Sequence, residues 1–334
     1  MKQLYVADLK PNDDIQGVSF ALKSISSKTT STGKSYKDLV LQDKTGEING
    51  KIWSDSIKDC EEAKAGDIVS VDASISEFKN QSQLTIKHLM VLTGPDVDHG
   101  DYTKSSTHDP EKLFLQIKNA INEVDDESIQ TLLKELFKDK EFTEKFKIAP
   151  AAEVIHHAYM HGLMEHIVDM LLMSKPLKEV YPNLNMDILT AGIILHDAGK
   201  IYELSMDTTT ARTTEGYLLG HIAIMNSKID ALIKSFKDFP TETALQIQHL
   251  ILSHHGELEF GSPVKPMTTE ALALHYLDQL SSKTNIAYNL TDNLQTKGEN
   301  FSERLFALGN KLYAPTIIPK DNNTDTNGDK QTLF

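Results

Sequence analysis

Residues 192–200 read Gly-Ile-Ile-Leu-His-Asp-Ala-Gly-Lys, and the apolar run Ile193, Ile194, Leu195 ending on His196 and Asp197 decides how the C-terminal half folds. Such a run roots an element in a core, so the ligand-type residues that follow it are held rigidly. Four further segments are built alike: His166 closes HHAYMHGLMEH, His221 lies in GYLLGHIAIM, His254 and His255 in ILSHHGEL, and Asp278 in LHYLDQLSSK. Most of the 13 histidines of this 334-residue chain fall within residues 150–285. No single spacing places them on one helix, so a site made from them has to be assembled from several helices. A lone helical histidine is usually an ordinary core or surface residue. The informative feature is the ordered set of His, His-Asp, His, His-His and Asp, each after an apolar helical stretch.

Imidazole nitrogens and carboxylates suit Mn, Fe, Zn, Ni or Co, and one carboxylate can bridge two ions about 3.5–4 Å apart. Asp197 is the natural bridge. Cys60 is the only cysteine, which excludes thiolate zinc clusters and internal disulfides and fits a reducing, cytoplasmic compartment. The ordered set resembles the HD superfamily of metal-dependent phosphohydrolases over about residues 150–285: GLMEH matches its first histidine, HDAGK its namesake pair and LHYLD its closing aspartate. The added GH and SHHG elements resemble members that hold two ions. On that resemblance one ion takes His166, His196, Asp197 and Asp278. The second takes Asp197, His221 and one or both of His254 and His255, with manganese first among the candidate metals.

Lys200 lies four residues after His196, which predicts a shared helical face. In the resembling enzymes this lysine faces the substrate phosphate, so Asp197 and Lys200 are the catalytic candidates. The ammonium would neutralise charge on non-bridging oxygens or help protonate the leaving group. His156 and His157 precede Gly162 on what reads as a separate turn, and His275 lies one turn before Asp278. These three are expected to contact ligand residues or substrate.

From Gly17 to about Leu92 the pattern changes to short alternating runs, VSFALKSI, YKDLVLQD, INGKIW, DIVSVDASI and QLTIKHLMVL. They read as five strands of a small barrel, with turns at Asp43–Gly46 and Lys79–Ser82. The stretch TGKSYKDLVLQDKTGEINGKIW resembles nucleic-acid-binding OB-folds through its Leu-x-Asp-x-Thr-Gly-x-Ile hairpin and the following Trp. Single strands lie across such barrels, with bases on aromatics and phosphates near cations. Candidates are Phe20, Tyr36, Trp53 and Phe78 with Lys34, Lys37, Lys51 and Lys79. The net charge of −14 argues against broad duplex binding. Residues 1–95, with 12 Lys and 13 Asp/Glu, are nearly neutral and are the better contact for a polyanion.

The fold class is therefore multidomain, an all-β OB barrel (residues 1–95) followed by an all-α HD-type domain (150–313). Between them, the polar stretch DVDHGDYTKSSTHD reads as a linker, and LFLQIKNAI and SIQTLLKELF as bracing helices within 96–149. Asp109-Pro110 is a helix start. Residues 314–334 form a C-terminal segment whose end, PKDNNTDTNGDKQTLF, is too polar to order itself. No run of about eighteen apolar residues and no apolar signal core is present, so no membrane association is expected.

The whole order, OB barrel, helical connector and two-metal HD domain, resembles the YhaM family of bacterial 3′–5′ exoribonucleases up to about Tyr313. That resemblance implies degradation of single-stranded RNA to nucleoside 5′-monophosphates, with single-stranded DNA as a second candidate substrate. Homo-oligomerisation is compatible with the sequence, which sets no subunit count. Two other functions fit the same residues. One is an HD hydrolase of nucleotides or cyclic dinucleotides whose OB domain serves assembly. The other is a single-strand-binding regulator without turnover.

Overall fold

The computed structural model describes residues 2, 4–78, 81–93, 99–153, 156–206 and 210–316. The side chain of Phe78, all of Lys79 and the polar C-terminal end lie outside the described residues. Residues up to Ser282 form one compact unit, and those from Lys283 onward a second.

Strands β1 (Asp14–Thr29), β2 (Ser35–Asp43), β3 (Gly46–Trp53), β4 (Ile68–Phe78) and β5 (Gln81–Leu92) close into a barrel in the order β1-β2-β3-β5-β4. β3 and β5 run parallel and the other pairs antiparallel. This is the OB arrangement. β1 is long enough to pair with both β2 and β4, and register shifts between Ile15 and Val18 and between Leu22 and Ser24 let it bend between them. Alternation puts Phe20, Leu22, Leu39, Leu41, Ile48, Ile52, Val69, Val71, Leu84 and Ile86 inside.

The polar segment read as the interdomain linker packs, in its described part, on the barrel. Tyr102 is buried against Ala21 and Ile68, and its hydroxyl pairs with Ser19 Oγ at 2.8 Å. Asp101 takes Lys44 Nζ at 2.8 Å and the Tyr5 hydroxyl at 2.7 Å. A single buried aromatic in a polar stretch has no period, so patterning could not find it.

The helical half comprises α1 (Pro110–Asn122), α2 (Glu127–Leu136), α3 (Lys140–Ile148), α4 (Gly162–Ser174), α5 (Leu177–Val180), α6 (Met186–Leu195), α7 (Lys200–Glu203), α8 (Thr214–Ser235), α9 (Thr241–Ser253) and α10 (Thr269–Lys297). A small hairpin of β6 (Leu204–Met206) and β7 (Thr210–Arg212) sits between α7 and α8 and was not anticipated. Asp109, Asp126, Asp139 and Asn185 cap α1, α2, α3 and α6 by accepting backbone N–H bonds, and Thr213 caps α8. Helices α1 to α3 do more than brace. Leu113, Phe114, Ile129, Phe142 and Phe146 share one continuous core with Ile167, Ile193, Leu195, Ile251 and Leu274. Phe137 meets Phe142 and Phe146 edge-on at ring distances of 5.3 and 5.0 Å.

Candidate metal centre

α6 is buried from Ile188 to Leu195 apart from the half-buried Thr190, and ends just before His196 and Asp197, which occupy a turn. The run before His221, Tyr217 to Leu219, is exposed and does not root that histidine in the core. Lys200 opens α7 after that turn, so the expected continuous helical face across HDAGK is broken. Lys200 still reaches the centre: its Nζ lies 2.6 Å from Asp197 Oδ2.

Asp197 is buried and divides its two oxygens between two histidine groups. Oδ2 faces His196 Nε2 at 3.4 Å and His166 Nε2 at 3.9 Å, while Asp278 Oδ1 stands 3.3 Å from His166 Nε2. Oδ1 faces His221 Nε2 at 3.3 Å and His254 Nε2 at 3.6 Å. His255 joins the second group, its ring 4.4 Å from that of His254 and 5.2 Å from that of His221. Donors around one ion at about 2.0–2.2 Å stand roughly 3–3.5 Å from one another, so both groups have close to the spacing of a ligand set.

The opposite ring nitrogens are tied up, which leaves each Nε2 pointing inward. Nδ1 of His196, His254 and His255 meets the carbonyls of Ile193, Ile251 and Phe260 at 2.9, 2.8 and 2.8 Å. Nδ1 of His166 meets Ser281 Oγ at 2.9 Å, and that of His221 meets Glu203 Oε2 at 2.7 Å. Such partners set the tautomer and orientation of a metal-binding histidine. Asp197 Oδ1, His221 Nε2 and His254 Nε2 are buried yet make no hydrogen bond among the described residues. Buried polar atoms are rarely left so, and a bound cation would satisfy all three.

Protonation agrees with that role at four of the five histidines. Burial pushes His166, His221 and His254 below the usual imidazole range. Burial, together with the neighbouring His254, takes His255 to about 4. His196 goes the other way: burial opposes its charge, but the Asp197 carboxylate raises it. Burial would raise Asp197 and Asp278, yet Lys200 and His196 hold the first, and His166 the second, well below the carboxylate range. Neutral imidazoles and ionised carboxylates are the donor states that a divalent cation requires.

Of the remaining candidates, His156 faces the same centre, with its ring 5.4 Å from that of His166 and its Nδ1 buried without a hydrogen bond. Burial, with Lys200 nearby, lowers it to about 3. His157 is buried on the same side, its ring 5.3 Å from that of His166 and its Nε2 3.4 Å from Asp169 Oδ2, so that His156, His157 and His166 form a third close group. His275 supports the site through the backbone, its Nδ1 2.8 Å from the His254 carbonyl. Sequence reading missed Glu203 and Ser281. Ser281 lies one helical turn after Asp278 and so was within reach of a spacing argument, whereas Glu203 becomes a partner of His221 only through the packing of α7 on α8. Replacing Glu203 by Ala is expected to weaken metal affinity about 10–100-fold while the fold persists, which titration calorimetry with Mn²⁺ would read. Unchanged affinity would remove Glu203 from the site.

The glycine of HDAGK has a packing reason. A Cβ on Gly199 would stand 2.3 Å from the His221 carbonyl oxygen and 3.0 Å from Met225 Cβ. Gly199→Ala therefore has to displace the backbone of His221, and overpacking of that kind costs about 1–3 kcal/mol. Thermal melting should show the loss, and metal analysis a deficit confined to one ion per chain. A melting point and metal content like the wild type would contradict this packing.

On the barrel, Tyr36 and Trp53 form a cross-strand pair with ring centres 5.3 Å apart, and Lys51 Nζ lies 5.5 Å from each ring. Trp53 is 38% exposed, so this group lies at the surface. Lys34 is exposed beside it, in the turn before β2. Lys37 sits in register with the buried Ile52, so alternation puts it on the other face of β2. Phe20 is a correction: it is 0% exposed in the barrel core and offers no face to a base. Val18, Phe20 and Leu22 alternate with Ser19, Ala21 and Lys23, and that alternation already points Phe20 inward.

Residues 163–283 match the HD-domain family model. An OB barrel joined to a helical HD domain with a histidine and carboxylate centre defines a metal-dependent phosphohydrolase. The chain is similar to the 3′-5′ exoribonucleases YhaM of Oceanobacillus iheyensis, 38% identical over 87% of this chain and 91% of the relative, and of Geobacillus sp. (strain WCH70), 36% identical over 90% and 92%. That of Shouchella clausii is 37% identical over 90% of this chain and 93% of its own. The chain belongs to the YhaM family of 3′-5′ exoribonucleases.

Proposed function

We propose that this chain is a metal-dependent 3′–5′ exonuclease that shortens single-stranded RNA, and single-stranded DNA secondarily, to nucleoside 5′-monophosphates. The observation that carries the reading is Asp197, whose two oxygens face two separate groups of inward-pointing histidines. On it, His166, His196, Asp197 and Asp278 hold one divalent ion, and Asp197, His221, His254 and His255 the other. A histidine and carboxylate set without thiolate favours manganese, with iron, cobalt, nickel and zinc as alternatives. The chemistry that a bound pair supplies is Lewis-acid polarisation of the phosphoryl oxygens and activation of water near neutral pH.

The protein's own groups do the rest. Ile193, Ile251, Phe260, Ser281 and Glu203 fix the histidines, so no reorganisation is needed as charge develops. Lys200 carries a cation to the edge of the centre and neutralises negative charge on a non-bridging oxygen or protonates the departing 3′ oxygen. His156 faces the same space and contacts the phosphate that is cut. Tyr36, Lys51 and Trp53 hold the upstream strand by stacking and backbone contact, which gives little sequence preference and makes duplexes stall. No helix among the described residues is long and apolar enough to cross a membrane. The single cysteine supports a reducing, cytoplasmic setting.

The test is a gel time course with 5′-labelled single-stranded RNA and Mn²⁺, beside EDTA and matched DNA. A metal-dependent ladder shrinking from the 3′ end supports the reading. Intact RNA with hydrolysis of small nucleotides would replace it by the nucleotide hydrolase.

A further inference from the structure

Directly before the ligand His221, the chain exposes three apolar residues in succession: Tyr217 at 70%, Leu218 at 77% and Leu219 at 59%. An amphipathic helix exposes apolar residues on at most one edge of its polar face. Here the first turn of α8 spreads them over about 200° of arc, with Gly216 buried on the remaining side, and Gly220, with φ +71° and ψ 156°, then redirects the backbone so that His221 goes inward. Exposed apolar surface of this kind, next to a functional centre, marks a contact site.

Tyr217 is also held in place. Arg212, one of only two arginines in the chain, has its guanidinium carbon 5.5 Å from the Tyr217 ring centre. The same guanidinium lies 3.5 Å from Glu203 Oε1 and 3.9 Å from Glu153. Glu203 Oε2 in turn takes His221 Nδ1 at 2.7 Å. Two side chains thus connect the ring to a ligand of the metal centre. With two carboxylates beside it, Arg212 is not free to clamp a phosphate. Its role is to support the ring through a cation–π contact.

From this we infer that Tyr217 is a base-stacking subsite inside the HD domain, which receives the unpaired nucleobase of the terminal nucleotide as its phosphodiester enters the centre. The inference rests on the exonuclease reading and adds to it a residue that favours substrates carrying a base. An aromatic face suits any base, because every base offers a π-surface. The subsite is separate from the Tyr36 and Trp53 pair of the barrel, which holds the strand upstream.

The experiment compares two RNAs identical except that one ends in an abasic 3′ nucleotide, with kcat/KM measured on each for wild type, Tyr217→Ala and Tyr217→Phe. The wild type should prefer the base-ended RNA. Tyr217→Ala should shrink that preference about tenfold, as expected for one base–aromatic stack, and Tyr217→Phe should keep it. A preference unchanged in Tyr217→Ala overturns the inference, and so does an equal loss on both RNAs. If light scattering shows the variant to differ in subunit number with the preference intact, the patch belongs to self-association and the inference falls. Failure of the wild type to shorten either RNA would instead remove the exonuclease reading itself.

Discussion

Asp197→Ala is expected to abolish turnover, with kcat down by at least about 10³-fold, equivalent to about 4 kcal/mol of lost transition-state stabilisation. Asp197 sets one oxygen toward each histidine group, with Oδ2 toward His166 and His196 and Oδ1 toward His221 and His254. On the two-ion reading its removal would take a donor from each ion and the shared negative charge from between them. It also leaves the buried Lys200 ammonium without its carboxylate at 2.6 Å, so some stability is lost as well. Asp197→Asn separates these effects, because the amide keeps the volume and removes the charge. Metal analysis of both variants should show both ions depleted. Activity retained in either would sink the two-ion arrangement.

Lys200→Met should lower kcat by about 10²–10³-fold, the usual loss when one preorganised charge donor is removed from an active site. Methionine keeps the unbranched stem and removes the cation. Lys200 lies on the Oδ2 side of Asp197, next to His196, and is only 9% exposed. A positive charge in that place acts on whatever negative charge develops at the centre. Metal content should stay near the wild-type level, because lysine supplies no ligand. A purely structural counter-ion would show the opposite signature, a lower melting temperature with kcat preserved, and that result would take Lys200 out of the chemistry.

Much of this molecule was readable beforehand, for identifiable reasons. The barrel strands alternate with period two, the Lys44-Thr45 turn sits between β2 and β3 as expected, and aspartates stand where helices α1 to α3 begin. The candidate metal-centre residues stand out because His, His-Asp, His, His-His and Asp recur in order; the run before His196 is buried, whereas Tyr217, Leu218 and Leu219 before His221 are exposed. Phe20 failed because its aromatic type was weighed above its place in the alternation with Leu22, which puts it inside. The hairpin of β6 and β7 escaped because its strands are only three residues long. Tyr102 escaped because one buried aromatic has no period.

The residues that convert histidines into a centre form a different category. Glu203, Ser281 and the carbonyls of Ile193, Ile251 and Phe260 turn the rings, yet a carbonyl is common to every residue and leaves no mark in the sequence. The candidate ligand side chains are therefore a matter of sequence, through their type and their order along the chain. Which nitrogen of each ring faces inward, and how Asp197 shares its oxygens, was decided only by the tertiary structure. Those features depend on helices far apart in the chain, α4 with α6 and α7 with α8, meeting at one place. Contact between them is a property of packing in three dimensions, which local composition and spacing do not contain.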